Sequence, residues 1–310
     1  MSASAPRPRA DIASSCDSAA RRDADGTIVL LPQSMDEALR NTEVGKVIRR
    51  NRRRIATAAR LGFAAQALVY GTIGVLAGQY ALGIGGRTTD TKGAIIEYGG
   101  GLVGGVLLVL MAIGFAGYAL WRFVQAIADT EDKGRELKGM FVRAGYFGGG
   151  LINGWLAIVA ARVLTGERLG NDDAARSWTA SFLELPFGAE LVVLIGAGVI
   201  VYGAAQFQRA FGGEYRRHLE TQRMNPEEQA MARRVSKTGL STRGAIYILA
   251  GIFVISAALS SDPREAHDPG GVLAVVAGQP YGAILLAAIA LGLLAYGGYA
   301  AFEAAYRRIR

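Results

Sequence analysis

Polar and apolar positions along this chain separate into long blocks. The short alternation of a soluble helix or strand is not what they show. Residues 61–86, 99–121, 144–161, 191–208, 244–261 and 269–302 carry no Asp, Glu, Lys or Arg. A helix needs about 20 apolar residues to cross ~30 Å of hydrocarbon, so uncharged runs of this length read as membrane spans. The pattern predicts six helical spans, over 61–83, 101–126, 144–164, 188–211, 240–259 and 281–304. Residues 1–45 have no apolar period and contain Pro6, Pro8 and scattered Ser and Asp, so a disordered tail is expected there. A secretory signal peptide is not expected, because no apolar h-region of about 7–15 residues follows a basic start.

The spans repeat in pairs. Span 1 contains Arg60-x-Gly62 and then Tyr70-x-x-x-Gly74. Span 3 has Arg143-x-Gly145 and Asn153-x-x-x-Ala157, and span 5 has Lys237-x-Gly239 and Tyr247-x-x-x-Gly251. The even spans share Gly114-x-x-x-Tyr118, Gly198-x-x-x-Tyr202 and Gly292-x-x-x-Tyr296. From the odd-span marker to the even-span tyrosine the distance is 48, 49 and 49 residues. Three hairpin units follow, over 61–130, 143–212 and 237–310, joined to the tail by a basic segment over 46–60. Each unit has two spans, so all three share one orientation and any pseudo-symmetry axis runs along the membrane normal. The expected fold is an all-α integral membrane bundle of six transmembrane helices with a pseudo-threefold arrangement, and a row of three hairpins is the alternative. Between the two spans of each unit lies a short apolar piece, Ala94-Ile95-Ile96, Ser181–Leu185 or Val272–Val276. These are too short to cross and are expected to be interfacial or re-entrant helices, two of them ended by Pro186-Phe187-Gly188 and Pro280-Tyr281-Gly282.

These repeated hairpins resemble the bacterial integral-membrane family known as domain of unknown function 1206, whose members carry three tandem two-helix repeats. The third unit carries the resemblance best, with Ser241-Thr242-Arg243-Gly244 entering span 5 and Glu303-Ala304-Ala305-Tyr306-Arg307 leaving span 6. Where the family pattern favours Arg-Gly, the first unit has Gln66-Ala67 and the second Gly149-Gly150. The resemblance implies architecture and supplies no biochemical activity.

Charge then orients the spans. The segment 46–60 holds Lys46, Arg49, Arg50, Arg52, Arg53, Arg54 and Arg60 and no acid, with Val44, Val47, Ile48 and Ile55 on one helical face. An amphipathic helix at the bilayer surface is expected, its cations attracted to anionic headgroups at ~1 kcal/mol each. The sequence pI of 9.7 would suit nucleic acid in a soluble chain, but a basic block placed immediately before a span favours lipid. Of the 34 Lys and Arg, 28 fall on the side that holds both termini. By the positive-inside rule, both termini are expected in the cytoplasm of a bacterial cell whose inner membrane holds the protein.

Chemistry is sparse. One cysteine, Cys16, excludes an intrachain disulfide framework, and His218 and His267 are too few and too distant for a histidine-based metal site. Gly99-x-Gly101-x-x-Gly104 imitates a dinucleotide fingerprint without the strand that would aim it, so close helix packing is the better reading. Asp262, Glu265, His267 and Asp268 gather in one loop, yet the neighbouring Pro263, Pro269 and glycines suggest a solvated turn instead of a metal site. No enzyme, cofactor, metal or nucleic-acid partner is expected.

The polar residues inside the spans are the leads, because ionisable groups in a bilayer are costly and usually partnered. Gln66, Gly149 and Arg243 are repeat equivalents, as are Gln125, Arg209 and Glu303. All lie towards the terminal side of their spans, so snorkelling and interhelical hydrogen bonds are expected, with a polar vestibule as the alternative. Arg243 and Glu303 are expected to pair. Tyr70, Tyr118, Tyr202, Tyr247 and Tyr296 lie near mid-span and are expected to pack between helices with no charge at matching depth. The expected function is that of a non-enzymatic structural or regulatory membrane protein, with a small-solute carrier or channel as the alternative.

Overall fold

The computed structural model describes residues 20–22, 28–30, 52–128, 137–167, 169–170, 174–213 and 219–307. Two units are separable, Met1–Arg52 and Arg53–Arg310. In the first, β1 (Ala20–Arg22) pairs antiparallel with β2 (Ile28–Leu30), Ala20 opposite Leu30. This is a local pairing that the composition of the tail does not anticipate.

Among the described residues of the second unit, six helices are long and apolar enough to cross a membrane. They are α1 (Arg52–Ala81), α3 (Gly101–Ala128), α4 (Leu137–Leu164), α6 (Gly188–Phe211), α7 (Pro226–Ser260) and α9 (Gly282–Tyr306). Three short helices, α2 (Thr91–Ile96), α5 (Ala174–Leu183) and α8 (Pro269–Ala277), stand where the connectors were expected to be helical. Their side of the bundle is called the connector face below, and the opposite side the terminal face.

Local chemistry sets the helix boundaries. The Asn225 side chain accepts from the Glu228 N–H at 2.8 Å, Glu228 accepts from the Asn225 N–H at 2.9 Å, and Pro226 takes the first helical position. This reciprocal capping starts α7 well before the apolar run that predicts span 5 at 240. Asp90 and Asp268 cap α2 and α8 by accepting from the N–H groups of Gly93 and Gly271, each at 2.8 Å. From Arg52 onward the basic segment is continuous with α1, because no breaker separates it from the span. Lys46, Arg49 and Arg50 lie outside the described residues.

Small residues build the interfaces between successive units. A Cβ placed on Gly203 of α6 would lie 2.7 Å from the carbonyl oxygen of Gly244 on α7, and one on Gly244 would lie 2.8 Å from the Gly203 oxygen. Seven residues along each helix, Gly196 and Gly251 repeat the arrangement at 3.0 and 2.7 Å. The seam between α9 and α1 is its repeat image: Gly297 faces the Ala67 oxygen at 3.1 Å, and Gly74 faces the Ala290 oxygen at 3.0 Å. In the seam between α3 and α4, the ring of Phe123 fills the space over Gly150 at 2.7 Å, just as Phe207 fills that over Gly244 at 2.9 Å. In lipid no hydrophobic force draws helices together, so this close backbone approach supplies the dispersion contact that does.

The α6–α7 and α9–α1 seams are therefore equivalent in backbone contact, and the α3–α4 seam shares the ring-over-glycine packing of α6–α7, as a pseudo-threefold requires. The contacts within the hairpins are not equivalent. In unit 1, Gly62 packs against Tyr118 and the Gly114 oxygen, and in unit 3 its counterpart Gly239 packs against the Tyr296 backbone at 2.5 Å. In unit 2, Gly145 and Gly198 have nothing within 4 Å. Tyr202 is accordingly 45% exposed where Tyr118 and Tyr296 are each 4%. The threefold holds between units, and the α4–α6 hairpin stands open at that level.

Candidate functional site

Tyrosines occupy the seams at mid-span. Tyr296 of α9 meets Tyr70 of α1 edge to face, with ring centroids 4.6 Å apart. Tyr202 of α6 meets Tyr247 of α7 in the same way at 5.0 Å. These two pairs are repeat equivalents. The third seam sets Asn153 of α4 where the others have tyrosine, and its side-chain amide donates to the Gly149 carbonyl at 2.8 Å.

Into this tyrosine layer comes Arg243. Its Nη1 donates to the Tyr296 hydroxyl and its Nη2 to the Tyr247 hydroxyl at 3.3 Å. The guanidinium carbon sits 4.6 Å from the Tyr296 ring centroid, 5.0 Å from Tyr70 and 5.3 Å from Tyr247. The negative faces of three rings thus stabilise a cation, at about 0.5–2 kcal/mol for each well-placed ring. The Tyr296 hydroxyl passes the chain on, donating to Gln66 Oε1 at 3.5 Å. One residue thereby links α7, α9 and α1.

The expected ion pair between Arg243 and Glu303 is not what forms. Glu303 instead accepts from Arg307, the residue just past the end of its own helix, and both side chains are buried. The reason is axial distance. Glu303 lies seven residues beyond Tyr296, about 10 Å along the helix towards the terminal face, whereas Arg243 turns towards the connector face to reach Tyr247. Arg307 also lies over the Phe63 ring at 4.6 Å, which ties the end of α9 to α1. Burial opposes the Arg307 charge most strongly, but the Glu303 carboxylate together with Tyr118 and Tyr299 holds the pKa above the ordinary arginine value.

The remaining polar residues form the same device with exchanged parts. In unit 1, Arg122 donates to the Tyr118 hydroxyl at 2.6 Å and to Gln125 at 3.3 Å, and it lies over the Tyr118 and Tyr146 rings. Its Nε fills the space above Gly149, 3.8 Å from where a Cβ would be. In unit 2, Gln206 donates to the Tyr202 hydroxyl at 3.3 Å and accepts from Arg209 at 3.2 Å. The expectation that no charge reaches the tyrosines is thereby corrected, since Arg122 and Arg243 both extend to that depth. Spacing carried the signal: Tyr118-x-x-x-Arg122 and Arg243-x-x-x-Tyr247 place cation and phenol one turn apart.

The other candidates are placed as packing or turn residues. Gly101 opens α3 at φ 71°, behind the helical α2. Asp262 caps the Arg264 N–H at 2.9 Å, Glu265 accepts from Ser256 at 2.6 Å, and His267 meets Phe253 edge to face at 5.0 Å. Among the described residues no group of three or more His, Cys, Asp or Glu is arranged to hold a metal ion. Of the basic block's described side chains, Arg60 has its Nε buried without a hydrogen-bond partner.

One cavity touches the arginine cage. Its volume is ≈ 30 Å³, and its lining combines Arg243, Tyr70 and Tyr247, the connector residues Thr89, Asp90 and Thr91, and apolar side chains such as Ile246 and Leu293. That is room for about two waters.

Comparison with known proteins agrees with this architecture. The Domain of Unknown Function 1206 family matches three times, at residues 61–129, 144–213 and 238–307. The uncharacterized protein YxxB of Bacillus subtilis (strain 168) is 32% identical over 272 residues, covering 88% of this chain and 98% of that protein. No solved structure matches. Three tandem matches on three equivalent hairpins place the chain in a family, and it belongs to the Domain of Unknown Function 1206 family.

Proposed function

We propose that this chain is a multi-pass protein of the bacterial inner membrane, with both termini cytoplasmic, that works as a structural or regulatory element and catalyses no reaction. The observation that carries this reading is how the interior polar groups are used. Arg243, Arg122, Gln206 and Glu303 each bond to a neighbouring side chain of the bundle, and Arg243 and its Tyr296 partner join separate helices. Arg243 and Tyr296 act as fixed cross-braces, and the other three settle their polarity within their own helix turn. The excess of Lys and Arg on the terminal side supports the orientation. The basic block at 46–60 supports contact with anionic lipid headgroups.

Reconstitution of the full chain tests the reading. Anionic lipid should co-purify with the wild type and be reduced when Arg49, Arg50, Arg52, Arg53 and Arg54 are replaced by Gln, while vesicles carrying the protein hold their ion and solute gradients. A small-solute carrier is the second reading, favoured by the cavity beside Arg243. Gradient loss above that of protein-free vesicles would replace the first reading with the second.

A further inference from the structure

At the terminal face α7 outruns the helix it packs against. Its 35 residues make it ~52 Å long, and ~30 Å of that suffices for the hydrocarbon layer. Counted back from Ser260, about 20 residues bring the hydrocarbon boundary to Leu240. Gly251, Gly244 and Lys237 follow one another at intervals of seven, so they share one stripe of α7. At the two glycines α6 closes over this stripe. At Lys237 the cover stops, because α6 ends at Phe211. The Lys237 Nζ lies 4.7 Å from the centroid of the Phe211 ring, and that ring's residue is 64% exposed. Arg234 and Arg233, three and four residues nearer the terminal face, continue the stripe, and all three cations are exposed.

These cations are uncommitted. Among the described residues none of the three forms an ion pair. Glu228 is turned to the Asn225 N–H and the Tyr306 hydroxyl, and Glu227 lies six residues before Arg233, ~9 Å away along the axis. The repeat equivalent of Lys237 is used differently. Arg143 donates its Nε and Nη2 to the carbonyl oxygens of Ala126 and Ile127, at 2.7 and 3.1 Å, and so closes the end of α3. The end of α6 is closed by its own Gly212 N–H, which donates to the Gln208 carbonyl, and Lys237 has no such task.

We propose that this stripe binds the phosphodiester headgroup of an anionic phospholipid from the leaflet on the terminal side. Depth and charge choose the occupant. Lys237 lies ~5 Å and the two arginines ~9–11 Å beyond the hydrocarbon boundary, within reach of the headgroup layer for side chains of their length. A phosphodiester there meets three cations and no acid, and the Phe211 ring suits the border between headgroup and acyl chain. A zwitterionic lipid brings an ammonium group of its own, which the same cations repel. The proposal rests on the reading above only in setting the chain in a bilayer. Its residues are separate from the 46–60 block, and it stands whether or not the protein holds gradients.

Phosphatidylglycerol is the probe, with phosphatidylcholine as the zwitterionic comparison. Each is titrated into the full chain in non-ionic detergent, and native mass spectrometry counts the lipids retained. Replacing Arg233, Arg234 and Lys237 together by Gln should remove one phosphatidylglycerol and leave phosphatidylcholine unchanged. Each single change should weaken retention about fivefold. Arg233→Lys combined with Arg234→Lys should keep the lipid. Arg223→Gln removes an exposed cation already paired with Glu220, and should change nothing. The variant with the 46–60 arginines replaced should also keep this lipid, which separates a failure of the block from a failure of the stripe. Elution as a single folded species on size exclusion qualifies each variant. An unchanged count in the triple variant, an equal loss of phosphatidylcholine, or an equal loss in Arg223→Gln would overturn the proposal.

Discussion

Gly203 and Gly244 meet backbone to backbone across the α6–α7 seam, each leaving less than 3 Å between a would-be methyl group and the other's carbonyl oxygen. There is no slack for a side chain at either place. Gly203→Ala or Gly244→Ala should push the helices apart and cost about 1–3 kcal/mol by overpacking. Thermal unfolding in detergent reads this directly. An unchanged midpoint would show that the seam is not a closed contact.

The hairpin contact offers a sharper comparison between repeat equivalents. Gly239→Ala should be strongly destabilising, because its Cβ would collide with the Tyr296 backbone at 2.5 Å. Gly145→Ala, in the same place of unit 2, meets nothing within 4 Å. It should be neutral or stabilising by up to about 1 kcal/mol through helix propensity. Equal losses at the two positions would mean that unit 2 closes like the others.

Glu303 and Arg307 predict a non-additive pair. Removing either partner of a buried ion pair leaves a charge uncompensated and costs about 3–5 kcal/mol. Glu303→Gln and Arg307→Gln should each destabilise, and the double variant should recover much of the loss. Glu303→Gln combined with Arg243→Gln should instead come close to adding, since among the described residues those two share no hydrogen-bond partner. Coupling in the second cycle and additivity in the first would reverse the assignment.

Topology is readable at the chain's only thiol. Cys16 should resist a membrane-impermeant maleimide in intact spheroplasts and react after lysis. Labelling before lysis would place the N-terminus outside.

Spans, hairpins and repeat period are legible in the sequence because each depends on positions close along the chain. The start of α7 is equally legible, since Asn225-Pro226-Glu227-Glu228 is a complete capping signal that precedes the apolar run. The seams are legible only in part. Gly150, Gly244 and Ala67 are recognisable as small repeat equivalents, but nothing in their spacing says that unit 2 leaves its own hairpin open while keeping the seams. The arginine cage is the least legible feature. Depth estimated from the Cα position puts Arg243 near Glu303, whereas its long flexible side chain settles a turn away, beside the phenols that can accept from it.

The α9–α1 seam also sets an order of events during synthesis. The other two seams join helices that follow one another in the chain, and each can close soon after its second helix emerges. Tyr296 and Gln66 are separated by 230 residues. At ribosomal rates of about 5–20 residues per second, α1 waits roughly 10–50 s for α9. Throughout that interval Gly74 and Ala67 present an unsealed strip to the bilayer, and any neighbouring small-residue helix is a competitor for it. The first helix inserted finds α3 early but is the last to have both neighbours in place, so the newborn protein is most open to wrong partners until its final helix arrives.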